Sequence, residues 1–113
     1  MKYRKRNVSA SSIKIAVALV ADYANREAAA KSARAADMNE TALEAFERNN
    51  RIIDECLECV EPFLRGIIRA DIGSGTGWYG SKARKYIAKD VYYARKNQVV
   101  HKILKSFNLL LDK

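Results

Sequence analysis

The residues that interrupt helices are confined to one part of this chain. Its single proline is Pro62, and four of its five glycines lie between Gly73 and Gly80. Elsewhere, apolar residues recur at three- and four-residue steps, and the alternation of a half-buried strand is nearly absent. Alanine is abundant, which adds helix propensity. The pattern predicts an all-α fold of four to five helices. A chain of 113 residues is long enough for one domain with a modest core. We divide it into a long N-terminal helix (1–38), an acidic helix followed by a short one (39–72), a glycine-rich loop (73–81) and a C-terminal part (82–113).

Ser9, Ser11 or Ser12 can cap the first helix, which is expected to run to about Ala36. Ile13, Val17, Val20 and Ala24 form its apolar stripe, widened by Ile15 and Leu19. Beyond Tyr23 the helix becomes alanine-rich and charged, with little to bury, so its end is exposed or covers a partner. Met1–Arg6 ahead of Ile13–Ala21 superficially resembles a secretory leader. Lys14 interrupts the apolar run, however, and the run is far short of the ~20 residues that span a bilayer. The chain is therefore read as cytoplasmic, without a membrane partner.

Asn39 or Thr41 can cap the second helix, and Thr41 with Glu44 has capping-box spacing. That helix, about Glu40 to Val60, should bury Leu43, Phe46, Ile53, Leu57 and Val60. It should expose Glu44, Glu47, Asp54, Glu55 and Glu58. Proline is favourable in a first helical turn and costs about 3 kcal/mol in a helix interior, so a new short helix is expected to start at Pro62. Asp71–Ser81 is expected to be a mobile loop.

The last helix is expected from Lys89 to Leu111 and has two unlike halves. From Val99 onward Val100, Ile103, Leu104, Phe107 and Leu111 repeat as one buried face. From Lys89 to Gln98 it carries cations, tyrosines and amide side chains. Charge is similarly divided along the chain. Residues 1–36 hold eight Lys/Arg against two Asp/Glu, residues 37–77 four against nine, and residues 78–113 nine against two. The net charge of +8 thus resides at the two ends, where it suits a polyanion.

Three motifs suggest chemistry that the rest of the chain does not support. Cys56-Leu-Glu-Cys59 lacks the further ligands of a structural zinc site, and it stands late in a helix, away from the N-terminus that lowers a redox thiol pKa. Asp71-Ile-Gly-Ser-Gly-Thr-Gly77 looks like the first motif of S-adenosylmethionine-dependent methyltransferases. It has no strand before it, no room for further βα units after it, and no Gly-Lys-Ser/Thr of a P-loop. His101 has no nucleophile beside it in sequence. No catalytic residue, cofactor or metal is assigned, and the chain is read as a non-enzyme.

Tyr86-Ile-Ala-Lys-Asp-Val-Tyr-Tyr-Ala-Arg-Lys96, followed by Val99-Val-His-Lys-Ile103 and Phe107-Asn-Leu-Leu110, carries the one broad resemblance. Phe63–Leu110 is similar to the C-terminal region of phage- and prophage-encoded helix-turn-helix regulators of the ArpU/RinA type, which themselves resemble region four of sigma factors. Residues 41–70 fit the acidic helix that precedes the motif in that group. Ala88 stands where the group often has a capping serine, and Val91 where it often has threonine. The resemblance implies a C-terminal helix-turn-helix, transcriptional regulation through double-stranded DNA, and RNA polymerase as a further partner.

Projected at about 100° per residue, the last helix places Tyr92, Val99, Val100, Ile103, Phe107 and Leu110 on the core side. Asp90, Val91, Ala94, Asn97, Gln98 and His101 lie opposite, with Arg95 towards one flank. Asn97 and Gln98 can address adenine edges, and Arg95 guanine or phosphate. Lys96 falls near the apolar side and is expected to snorkel to a phosphate. Tyr93 lies on the border, while Lys82, Arg84, Lys85 and Lys89 supply phosphate contacts. The DNA-binding set is therefore Lys82, Arg84, Lys85, Lys89, Asp90, Tyr93, Arg95, Lys96, Asn97 and Gln98. A second reading is a helical assembly module, such as a small terminase-like phage protein, with a homodimer formed through the N-terminal helix.

Overall fold

The computed structural model describes residues 9–35 and 40–109. Among them are five α-helices and no strand: α1 (Ala10–Ala21), α2 (Tyr23–Ala35), α3 (Glu40–Cys56), α4 (Pro62–Ser74) and α5 (Lys89–Ser106). Short 3-10 turns occupy Leu57–Cys59, Trp78–Gly80 and Lys82–Lys85. The all-α expectation holds. No helix among the described residues is long and apolar enough to cross a membrane. The molecule measures 46 × 38 × 20 Å, and its thin dimension holds about two layers of ~10 Å helices. Helix α5 lies in the middle, packed on α1, α3 and α4, while α2 pairs with α3.

The long first helix of the sequence reading is broken at Asp22. Ser9 caps α1, its Oγ accepting from the Ser12 amide at 3.0 Å. The Arg26 guanidinium reaches back to the carbonyl of Leu19, at the break, while its Nε donates to Asn50 Oδ1 (2.8 Å) on α3. A side chain inserted into the i→i−4 ladder is a recognised cause of a kink. Asn50 Nδ2 in turn donates to the Tyr23 carbonyl (3.1 Å), and the Tyr23 hydroxyl to Asp54 (2.8 Å). Since 23 pairs with 54 and 26 with 50, α2 and α3 run antiparallel.

The buried face of α1 is also rotated from the expected stripe. Ser12, Ala16 and Val20 are buried, Ile13 and Val17 only half-buried, and Ala24 exposed. Small residues win because α1 crosses α4 very closely. A Cβ placed on Gly73 would lie 2.9 Å from the Ala21 Cα. On α4, Leu64, Ile68 and Ile72 repeat at four-residue steps and are fully buried, each contributing about 1.5–3 kcal/mol of hydrophobic stabilisation.

The acidic helix ends earlier than expected, at Cys56, and tightens into the turn Leu57–Cys59. Arg65 stabilises that exit by donating to the carbonyls of Leu57, Val60 and Glu58 (3.1, 2.8 and 3.2 Å). Ile53, Leu57 and Val60 are buried as expected, whereas Leu43 and Phe46 are half-buried. Both cysteines are free thiols. Burial pushes the Cys56 thiol pKa up, and its Sγ lies 3.6 Å from Ser106 Oγ on α5. As expected, Pro62 opens α4 in its first turn.

Two boundaries at the C-terminal end differ from expectation. Asp71, Ile72, Gly73 and Ser74 are the last turn of α4 rather than loop. Gly75 ends the helix in the left-handed region (φ 74°), with Thr76 N donating to Asp71 O (3.0 Å) and Gly75 N to Ile72 O (3.4 Å). Helix α5 stops at Ser106, short of Leu111, by the same device. Asn108 takes φ 57°, Leu109 N donates to Leu104 O (2.7 Å) and Asn108 N to Lys105 O (3.2 Å). Met1–Arg6, Ala36, Asn39, Leu110 and Leu111, on which other expectations fell, lie outside the described residues.

The two α4 glycines separate close packing from helix propensity. Gly73→Ala is expected to destabilise by about 1–3 kcal/mol, because Ala21 backbone must give way. Gly66→Ala meets nothing within 4 Å and is expected to stabilise by about 0.5–1 kcal/mol. Urea unfolding midpoints at unchanged slope check both signs.

Candidate nucleic-acid interface

Between α4 and α5 the chain does not form the α-helix that a helix-turn-helix places there. It makes two 3-10 turns, because Gly77 and Ser81 are extended (φ −94°, ψ 178° and φ −87°, ψ 145°) and interrupt any longer helix. Ser81 caps the second turn, its Oγ accepting from the Ala83 amide at 3.0 Å. Ala83 is fully buried beneath that turn. Trp78 bridges to the start of α5, donating its ring N–H to the Ile87 carbonyl (3.1 Å) and its backbone N–H to the Tyr93 hydroxyl (3.2 Å).

Beneath this segment lies a buried polar cluster. Asp71 Oδ2, on the last turn of α4, accepts from the Ser81 hydroxyl and from the Tyr92 hydroxyl (2.7 Å). Lys96 is fully buried and donates its ammonium to the Thr76 carbonyl at 2.7 Å. Its Nζ also lies 5.1 and 5.7 Å from the ring centroids of Tyr92 and Tyr93, within cation–π range. Burial lowers the Lys96 pKa, and the Asp71 charge opposes that shift. Burial, then the hydrogen bond to Asp71, raises the Tyr92 pKa well above its ordinary value. The glycine-rich segment is therefore pinned at three points rather than left as the mobile loop that its composition suggests.

The expected site residues separate into three groups. Lys82, Arg84, Lys85, Lys89, Asp90 and Gln98 are exposed and share this end of the molecule. Asp90 lies in the first turn of α5, where its charge complements a helix start that Ala88 leaves without a side-chain cap. Tyr93, Arg95 and Asn97 are half-buried. Arg95 is engaged by Glu61, Nε to Oε1 at 2.9 Å, and this hydrogen bond holds the Glu61 carboxyl below its usual pKa. Asn97 Oδ1 is shut from solvent without a hydrogen-bond partner, so its amide does not offer the bidentate edge that adenine needs. Lys96 corrects the sequence reading outright. The expected snorkelling to a phosphate fails because a folded-back carbonyl, an acidic neighbour and two rings satisfy its ammonium inside.

No family model, curated protein or solved structure matches this chain.

The aromatic part of this end was missed by sequence reasoning. Phe63, Tyr79 and Tyr86 are 60%, 66% and 62% exposed. Phe63 and Tyr86 meet edge-to-face at 5.6 Å, as do Trp78 and Tyr79 at 5.1 Å. The Arg84 guanidinium lies over both Trp78 and Tyr79, and Lys89 Nζ over Tyr79 at 4.9 Å. The available signal was that Trp78, Tyr79 and Tyr86 stand among glycines and lysines, outside any apolar repeat.

Asp71→Asn keeps the shape of the cluster but removes the charge facing Lys96. It is expected to cost about 3 kcal/mol, read as a lower urea midpoint. Alkaline pH acts through the same groups with opposite signs. The unfolded chain releases tyrosine protons near 10.0, whereas the fold retains those of Tyr92 and Tyr23, so these groups make stability fall as pH rises above 10.0. Lys96 has a depressed folded pKa, so the unfolded chain binds more protons and its contribution rises with pH just below 10.5. Melting temperatures between about pH 8 and about pH 11 should show a shallower decline above pH 10.0 for Tyr92→Phe than for the natural chain.

Proposed function

We propose that this protein binds double-stranded DNA through the N-terminal half of α5 and the basic turn before it, without catalysis. The observation that carries the reading is that Lys82, Arg84, Lys85 and Lys89 are exposed, gathered beside one helix, and not paired with any carboxylate among the described residues. Unneutralised cations on a fixed segment gain affinity for phosphates by releasing condensed counterions. The outward stripe Asp90–Ala94–Gln98 adds a small residue at its centre, which permits close approach, and one free amide for a base edge. Transcriptional control, a phage origin and RNA polymerase as a partner rest on the resemblance of Phe63–Leu110 to ArpU/RinA-type regulators alone. Compared with that group, the helix before the last one is replaced by two 3-10 turns, so backbone contacts outweigh base contacts in this proposal.

The assembly reading draws support from a different surface. Ile15 is 48% exposed beside Ala18, Leu19 and Ala21 on α1, an apolar strip that suits a second copy of the chain. A scattering mass twice that of the 12.7 kDa chain would favour it.

A labelled mixed-sequence duplex titrated at about 50 and about 200 mM salt is expected to bind in the micromolar range and to weaken steeply with salt. Lys82→Ala with Lys85→Ala should lower the slope of log K against log salt by about two, one for each lost phosphate contact. No binding at low salt, or a slope untouched by the double variant, overturns the proposal.

A further inference from the structure

The duplex reading leaves the exposed rings unused. Phe63, Tyr79 and Tyr86 come from α4, the first 3-10 turn and the turn before α5; Phe63 meets Tyr86, and Tyr79 meets Arg84 and Lys89. Three large rings more than half exposed leave their faces open to contact. Duplex DNA does not supply that cover, since its bases are stacked on one another and present only their edges and phosphates. An acidic peptide would answer the cations but does not carry a π-face beside each charge. A strand with unpaired bases supplies both, a π-face at every base and a phosphate beside it.

We infer that Tyr79 and Tyr86 form a stacking platform for unpaired bases of single-stranded DNA, with Arg84, Lys85 and Lys89 tracking the adjoining phosphates. The inference rests on reading this end as a DNA surface and extends it to the opened state of the duplex. The geometry that supports it is specific. Arg84 and Lys89 already lie over the Tyr79 ring, so the cations that would meet phosphate are poised at the ring that would meet a base. Phe63 stands edge-to-face against Tyr86 and holds that ring in one orientation. The pinned segment Gly75–Ser81 keeps Tyr79 at a fixed height, which limits the ordering entropy lost on stacking.

The test uses the full chain and three labelled probes: a mixed-sequence single strand of about twelve nucleotides, an abasic strand of the same length, and the corresponding duplex. Tyr79→Ala with Tyr86→Ala is compared with the natural chain after matching unfolding midpoints. The single strand should bind more tightly than the abasic strand, and the double variant should lose about five- to a hundredfold in affinity for the single strand while changing little towards the abasic strand and the duplex. Equal affinity of the natural chain for single and abasic strands overturns the platform even if the variant is unstable. An equal loss on all three probes overturns it too, because the rings would then serve only to hold the fold. Duplex binding without single-strand binding overturns this inference and spares the duplex reading; binding to none of the probes overturns both.

Discussion

A fully buried lysine is the constraint around which the C-terminal half is arranged. An ammonium taken out of water costs several kcal/mol unless its protons and charge are answered inside the protein. Here the Thr76 carbonyl takes a proton, Asp71 supplies negative charge, and two tyrosine rings turn their faces towards it. The Thr76 carbonyl would not be available if α4 continued as a helix. Its termination at Gly75 frees the Thr76 carbonyl, while the Thr76 amide remains tied to Asp71. The segment that follows cannot leave without stranding Lys96, Tyr92 and Ser81 together. A glycine-rich stretch thereby becomes a rigid mount for Trp78, Tyr79 and Arg84.

The break between α1 and α2 solves the same problem with a different cation. At Asp22 the first helical run breaks, and Arg26 donates to the Leu19 carbonyl there while Asn50 spans from Arg26 to Tyr23. Burial lowers the Arg26 pKa, and nearby Asp22 opposes the shift. In both places a basic side chain reaches from a helix to main-chain oxygen at an irregular point, as the near-obligatory pairing of buried backbone groups requires. Among the described residues, Arg26 and Lys96 are therefore structural rather than free surface charge. Arg65, over the end of α3, and Arg95, beside Glu61, are engaged as well. The net charge overstates what is available to a polyanion. The cations left at the surface beside α5 are fewer than the composition suggests, but they are held by a rigid base.

That distinction separates the two kinds of contact proposed for this end. Phosphate recognition needs only charge at a defined place, which Lys82, Lys85 and Lys89 offer from a short capped turn and a helix start. Base recognition needs geometry. Gln98 is free to provide an amide, Asn97 has its oxygen turned inward, and the tyrosines offer faces rather than hydrogen bonds. A surface of this composition favours backbone contact and stacking over the reading of a long base sequence.

Helix content, the start at Pro62, the apolar face from Val99 to Leu104 and the basic C-terminal end were all legible in the sequence, because each follows from residues three or four apart or from local composition. Even Gly75 was legible as a break, although its exact position was not. Asn108 carries a weaker signal of the same type. The fate of Lys96 was not readable at all. Its place near the apolar side of a helix is compatible with snorkelling outward or burial inward, and the choice depends on a carbonyl 20 residues away. The same holds for the break at Asp22, where Arg26 meets Asn50 across two helices, and for the pairing of Phe63 with Tyr86. Sequence alone determined that the chain is helical and where charge accumulates. Only the tertiary structure decided which cations are buried and which rings are exposed, because satisfying a buried polar group is a property of distant partners brought together by packing.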